Sequence, residues 1–322
     1  MFKKLALLAF LNVLIACAPQ QQAFVSQPAA TQKLEANVFY TADMAALPYR
    51  AWLPKHNIRA VVIALHGFND YSNAFSEVGE YFSSKEVALY AYDQRGFGGA
   101  PQAGIWGNSK NLTGDLVQFT QLVSKRHPHM PLYIMGESMG GAVAISTVAN
   151  HRLEVDGLVL IAPAVWGGET MPWIYRGTLW ASAHTFPYWQ MTGSDLKIMA
   201  TDNIELLRKM VADPLIIKST RVDAIYGLVG LMDDAYHAIP KLTMPTLILY
   251  GGNDQVIKRE PIEVALARFS KPVTFAYYPE GYHMLMRDLA AKLVMDDAIS
   301  WMKRPSHQLP SGFAKEIKPL EN

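Results

Sequence analysis

At 322 residues, half of them hydrophobic and 18% charged, the chain has enough apolar material for one large domain or two small ones. A net charge of +1 gives no electrostatic footing for nucleic acid, and a single cysteine rules out an internal disulfide. No obligate protein partner is indicated, no repeat of solenoid length is visible, and past the N-terminus no apolar run is long enough to span a bilayer.

The first element is a leader. Lys3 and Lys4 precede an apolar run over residues 5–15, broken only by Asn12, which has the charge and length of a signal peptide. It ends in Leu14-Ile15-Ala16-Cys17, which resembles the lipobox of bacterial lipoproteins. That resemblance implies cleavage after residue 16, lipidation of Cys17, and a mature protein held to a membrane through acyl chains. Ala18 in place of aspartate after the cysteine implies delivery to the outer membrane of the bacterial cell envelope. Residues 17–33, rich in Gln, Ala, Pro and Ser, are expected to form a flexible linker between anchor and body.

From about Leu34 the pattern alternates. Residues 60–65, Ala-Val-Val-Ile-Ala-Leu, form a short continuous apolar run of the kind a strand buried on both faces requires. A helical stretch over 72–84, a strand over 87–92, a helix over 112–126, a strand over 132–135 and a strand over 157–161 follow. Strand and helix in alternation predict an α/β fold with a mostly parallel sheet and helices on both faces. After Pro163 the alternation stops. Residues 164–241 contain four of the seven tryptophans and no clear strand, and read as a helical cap inserted after the sixth strand. The alternation resumes with a strand over 245–250, a helix over 261–269, a strand over 273–278 and a terminal helix to Trp301. The body is thus expected over 34–163 and 242–304, and residues 305–322 as a disordered tail.

The chemistry centres on Gly136-Glu137-Ser138-Met139-Gly140, between an apolar strand and a Gly/Ala-rich helix. A serine hydroxyl is a weak nucleophile that needs an exposed turn, a base and backbone N–H groups to receive the charge it creates. A strand-to-helix elbow supplies the turn, and its flanking glycines let strand and helix approach closely. In open parallel sheets the reacting groups lie beyond the carboxyl ends of the strands. Asp254 follows the strand ending at Tyr250, and His283 follows the strand ending at Tyr278. Singly, Asp254 reads as a turn-capping aspartate and His283 as a surface histidine. Together, in the order Ser138, Asp254, His283, they match the order of the α/β-hydrolase triad. The oxyanion donors then fall to the amides of Met139 and of Phe68, in the loop Leu65-His66-Gly67-Phe68. His66 comes too early in that order to be the base and is read as shaping the loop.

His66-Gly67-Phe68, the stretch from Tyr92 to Gly98, the Ser138 elbow, Gly251-Gly252-Asn253-Asp254 and Gly281-Tyr282-His283 together resemble the monoacylglycerol lipase and lysophospholipase branch of the α/β-hydrolases. Gln94 and Phe97 stand where relatives of that branch often carry histidine. The resemblance implies cleavage of carboxylic esters of glycerol or lysophospholipids without metal or organic cofactor. The same triad also serves peptidases, thioesterases and perhydrolases, and a non-catalytic binding protein could keep the fold. Trp166, Trp173 and Trp189, with the other aromatic residues of the cap, either line an acyl pocket or form the cap's own core. A dinucleotide site at Gly96-Phe97-Gly98-Gly99 fails on spacing, and the isolated pair His127 and His129 is a poor metal site.

Overall fold

The computed structural model describes residues 18–24, 29–166, 171–193, 198–306 and 308–319, so the expected leader and Cys17 lie outside the described residues. Ten strands form one sheet in the order β1-β2-β3-β5-β4-β6-β7-β10-β11-β12. Its centre is parallel: β4 (Ala60–Leu65), β5 (Val87–Tyr92), β6 (Leu132–Glu137), β7 (Gly157–Ile161), β10 (Thr246–Gly251) and β11 (Val273–Tyr278). These are the expected strands, and β4 to β7 and β10 are buried along their whole length.

Side chains alternate between two cores, one on each face of the sheet. Val61, Ile63 and Leu65 pack toward α2 (Ser109–Arg126), α3 (Met139–Asn150) and α6 (Val222–Ala238). Ala60, Val62 and Ala64 pack toward α1 (Ser76–Ser84) and α8 (Ala291–Lys303). A further helix, α7 (Arg259–Leu266), joins the first face through Ile262 and Ala265. Three layers result, as a parallel sheet covered on both sides demands.

The structure departs from the expectation in several places. The antiparallel strands β1 (Lys33–Glu35), β2 (Val38–Tyr40) and β3 (Ala46–Trp52) extend one edge of the sheet. At the other edge, β12 (Ala314–Ile317) pairs antiparallel with β11, so the tail expected to be disordered contributes a strand. The linker is not free along its length either. Gln22 is buried, its amide donates to Trp106 O at 2.9 Å, and Asn111 Nδ2 donates to Ala23 O at 3.0 Å.

The cap is also smaller than the interval 164–241, because α6 carries Leu231, Met232 and Ala235 into the core beside α3 and belongs to the body. What remains of the cap holds α4 (Trp173–Thr185), α5 (Ile204–Ala212) and a two-stranded piece, β8 (Gln190–Thr192) with β9 (Ser219–Arg221). Because β7 is the seventh strand in chain order, the cap follows the seventh, the N-terminal strands having raised the count. No helix among the described residues is long and apolar enough to cross a membrane.

Candidate active site

The elbow at Ser138 is forced by close packing. A Cβ at Gly140 would lie 2.1 Å from Leu65 O on β4, and one at Gly136 would lie 2.5 Å from Gly140 O. Without side chains at those positions β6 can turn directly into α3, and Ser138 takes φ 53° and ψ −117°, the left-handed region that costs a non-glycine residue energy. The strained turn is held by neighbours: Ser138 N donates to Ile161 O at 2.9 Å, and Ser138 O receives the amides of Gly141 and Ala164 at 2.9 and 3.0 Å.

Asp254 and His283 are brought together. His283 Nδ1 lies 2.8 Å from Asp254 Oδ2, with the carboxylate side chain fully buried and the imidazole 6% exposed. The other carboxylate oxygen receives the amides of Val256 and Ile257 at 2.8 and 2.9 Å. Asp254 therefore does both jobs considered for it, capping its own turn with Oδ1 and holding the imidazole with Oδ2. A carboxylate acceptor assigns the proton to Nδ1 and leaves Nε2 as a lone pair. The two loops meet through another glycine: a Cβ at Gly251 would lie 2.5 Å from Gly281 O, and Asn253 N donates to Gly281 O at 2.8 Å.

Ser138, Asp254 and His283 all stand past the carboxyl ends of β6, β10 and β11. The Ser138 hydroxyl and the His283 ring are not hydrogen-bonded to each other among the described residues. Around the serine, a Cβ at Gly67 would lie 3.4 Å from Ser138 Cβ, which puts the loop after β4 against the elbow. The amides of Phe68 and Met139 donate to no protein acceptor among the described residues. Met139 is the first residue of α3, whose leading N–H groups have no partner within the helix. Its amide and the helix dipole together favour negative charge there.

His66 shapes the loop, as read from the sequence. Its Nδ1 lies 2.8 Å from Gly67 O and its Nε2 accepts the Gln94 amide at 2.9 Å, while Gln94 Nε2 donates back to His66 O. Both ring nitrogens are committed, so a second proton has no place.

The cap aromatic residues divide between solvent and the body. Trp173 is 80% and Trp189 62% exposed, while Trp166 packs against the body core, so the cap has little aromatic core of its own. A cavity of about 660 Å³ opens between α4 and α6 over Trp106, with Trp173, Trp180 and Tyr226 on its walls and none of Ser138, Asp254 or His283 among its lining. It approaches the site through Trp106, whose ring lies 6.4 Å from that of Phe68. Among the described residues no group of three or more His, Cys, Asp or Glu is arranged to hold a metal ion.

One feature was missed from the sequence. Arg287 is buried and bonded to Asp70 Oδ2 at 2.7 Å and Glu137 Oε1 at 2.5 Å. The available signal was an arginine directly after the apolar run Met284-Leu285-Met286, in a stretch where an unpaired buried charge would be costly.

A strand-to-helix elbow carrying serine and an aspartate-bound histidine three strands away, on a parallel sheet with a cap, define the α/β-hydrolase fold. Residues 56–290 match the Hydrolase_4 family, described as serine aminopeptidase, S33, and the chain belongs to that family. A monoacylglycerol lipase of Mycolicibacterium smegmatis is 26% identical over 263 residues, covering 79% of this chain and 91% of that protein. Human monoglyceride lipase is 26% identical over 255 residues, covering 77% and 83%. Among solved structures, a soluble variant of the Saccharomyces cerevisiae monoglyceride lipase with a substrate analogue has a similar fold, at TM-score 0.70 and 19% identity over 88% of this chain and 97% of that one. A thermostable carboxyl esterase of Bacillus coagulans also has TM-score 0.70, at 17% identity over 87% and 99%.

Burial lowers the pKa of His66 from its ordinary 6.5, outweighing the hydrogen bond to Gly67 and the charges of Asp70, Asp93 and Glu137. Below pH 6.5 the unfolded chain takes up a proton at this residue that the folded chain refuses, so folding stability is lost as the pH falls. In urea titrations between pH 6.5 and about 5, His66→Gln is therefore expected to lose stability less steeply than the wild type. Equal slopes would contradict the neutral assignment.

Proposed function

We propose that this carboxylic ester hydrolase acts on monoacylglycerols or lysophospholipids through a Ser138–His283–Asp254 triad and an acyl-enzyme. The observation that carries the reading is the 2.8 Å bond from His283 to the buried Asp254, at the same sheet rim as the Ser138 elbow. In this reading His283 Nε2 takes the proton of Ser138 Oγ as the oxygen attacks the ester carbonyl, and returns it to the departing alcohol. Asp254 keeps the ring in the required tautomer and stabilises the imidazolium. The unengaged amides of Phe68 and Met139 receive the tetrahedral oxyanion, and one such donor is typically worth about a hundredfold or more in rate. Water, activated by the same histidine, then releases the acid. A serine–histidine contact of this kind commonly tightens only with substrate.

A lipid-like ester is supported by the names of the relatives and by the aromatic walls of the cavity that reaches Phe68 through Trp106. The family's description favours one second reading, in which the same triad cleaves an aminoacyl amide. Turnover of monoacylglycerols, p-nitrophenyl esters of graded length, an acyl-CoA and aminoacyl amides separates the two. The esters are expected to be cleaved and the amides not. Ser138→Ala is expected to lower ester turnover by about 10⁴-fold or more and to remove labelling by a fluorophosphonate probe. Label persisting in that variant would end the assignment.

We also propose that Cys17 is lipidated and holds the protein to a membrane of the bacterial cell envelope, the outer membrane being the destination that Ala18 favours. The support is the lipobox-like run and the position of the protein's one cysteine. Because residues 20–23 bond to the body, the tether after Cys17 is short. Cells grown with labelled palmitate are expected to yield a labelled wild-type band and an unlabelled Cys17→Ala band, and an unlabelled wild type would refute the anchor.

A further inference from the structure

The three loops that carry the proposed chemistry converge on one buried guanidinium. Arg287 closes a 3-10 turn, Leu285–Arg287, just past His283, and is 5% exposed. It bonds Asp70 just past Phe68, and Glu137, which immediately precedes Ser138; both carboxylates are buried. Each arm of the fork thus reaches a different loop, one carrying an oxyanion amide and the other the nucleophile, while the backbone of Arg287 continues from the base.

The loop after β4 needs such restraint. Asn69 has φ 66° and lacks the freedom of glycine. It is held from the cap by Asn69 Nδ2 to Thr220 Oγ1 at 2.6 Å and Ile217 N to Asn69 O at 3.0 Å. Tyr71 OH donates to Asp213 Oδ2 at 2.6 Å, so Asn69 and Tyr71 face the cap while Asp70 between them faces Arg287. The cap also reaches the turn of Arg287, with Asn203 Nδ2 donating to Arg287 O at 3.2 Å.

We propose that Arg287 is a positioning residue for the hydrolysis, its two-armed bridge setting the distances among the Phe68 amide, the Ser138 hydroxyl and the His283 ring. The inference rests on the triad reading above. Buried ion clusters stabilise poorly in comparison with apolar packing of the same volume, so what this one contributes is geometry. Only arginine does this, because its rigid planar fork serves two carboxylates at fixed angles, whereas lysine presents a single point charge on a flexible stem. Oxyanion donors act only where they already point at the developing charge, so a small slackening of the loop lowers the rate without weakening substrate binding.

The test uses Arg287→Lys and a triple variant, Arg287→Met with Asp70→Asn and Glu137→Gln, which removes the cluster's charges together and leaves no unpaired carboxylate. Thermal unfolding gives stability, a phosphonate inhibitor counts active sites, and kcat and KM for a short p-nitrophenyl ester are read per counted site. Arg287→Lys is expected to lose about tenfold to a hundredfold in kcat with KM within about threefold. The triple variant is expected to regain thermal stability relative to Arg287→Lys without regaining kcat. Because kcat is read per counted site, a partly unfolded preparation still reports. Wild-type kcat per site in either variant would overturn the inference and assign Arg287 a structural role only. A Ser138→Ala control keeps the two claims apart: turnover surviving in that control defeats the triad reading, whereas a dead control beside a fully active Arg287→Lys defeats the positioning role alone.

Discussion

Two contacts that only glycine can make govern the rim of this sheet. At one, Gly140 brings the first turn of α3 against the carbonyl of Leu65, which pushes Ser138 into a left-handed turn and sets the loop after β4 beside it. At the other, Gly251 lets the chain after β10 lie against Gly281 and Tyr282, which delivers Asp254 to His283. A methyl group at either place would meet a backbone carbonyl at 2.5 Å or less, and backbone cannot swing aside as a long side chain can. The rest of the rim follows from these two approaches: unengaged amides at Phe68 and Met139, a carboxylate shared between its turn and an imidazole, and His66 locked neutral beneath the loop.

Buried charge does the fine adjustment. Arg287 ties Asp70 to Glu137, and Arg95 makes a similar bridge between Asp43 and Asp115, joining the turn before β3 to α2. Leaving one member of such a pair alone in the interior typically costs about 3–5 kcal/mol. Such clusters therefore hold loops in place firmly, without adding much net stability. In the proposed reaction the hydroxyl of Ser138 needs that firmness, and the cap adds to it through Asn69, Tyr71 and Asn203.

What was legible in the sequence followed from local physics. Strands buried on both faces must be continuous apolar runs, so β4, β5, β7 and β11 could be placed to the residue, and the glycines flanking Ser138 announced an elbow. The N-terminal strands are short and mixed in polarity, and Pro48 interrupts the look of β3, so their pairing rests on distant partners. In β12, Lys315 and Glu316 made an edge strand look like tail, because an edge with a solvated face needs few apolar residues. Arg287 bonds partners 217 and 150 residues away, and no spacing rule connects them. Of the cap aromatic residues read as lining or core, Trp173 walls the cavity between α4 and α6 and Trp166 packs against the body, while Trp189 stands mostly exposed, since composition alone does not say which way a side chain faces.

The central claim is that one hydroxyl, one imidazole and two amides converge on a single reacting carbon. A crystal structure of the protein reacted with an alkyl phosphonate ester tests it most directly. The account predicts phosphorus bonded to Ser138 Oγ, the phosphoryl oxygen within hydrogen-bonding distance of both Phe68 N and Met139 N, and His283 Nε2 within reach of the Ser138 oxygen. Phosphorus on another side chain, or a phosphoryl oxygen turned away from both amides, would contradict it.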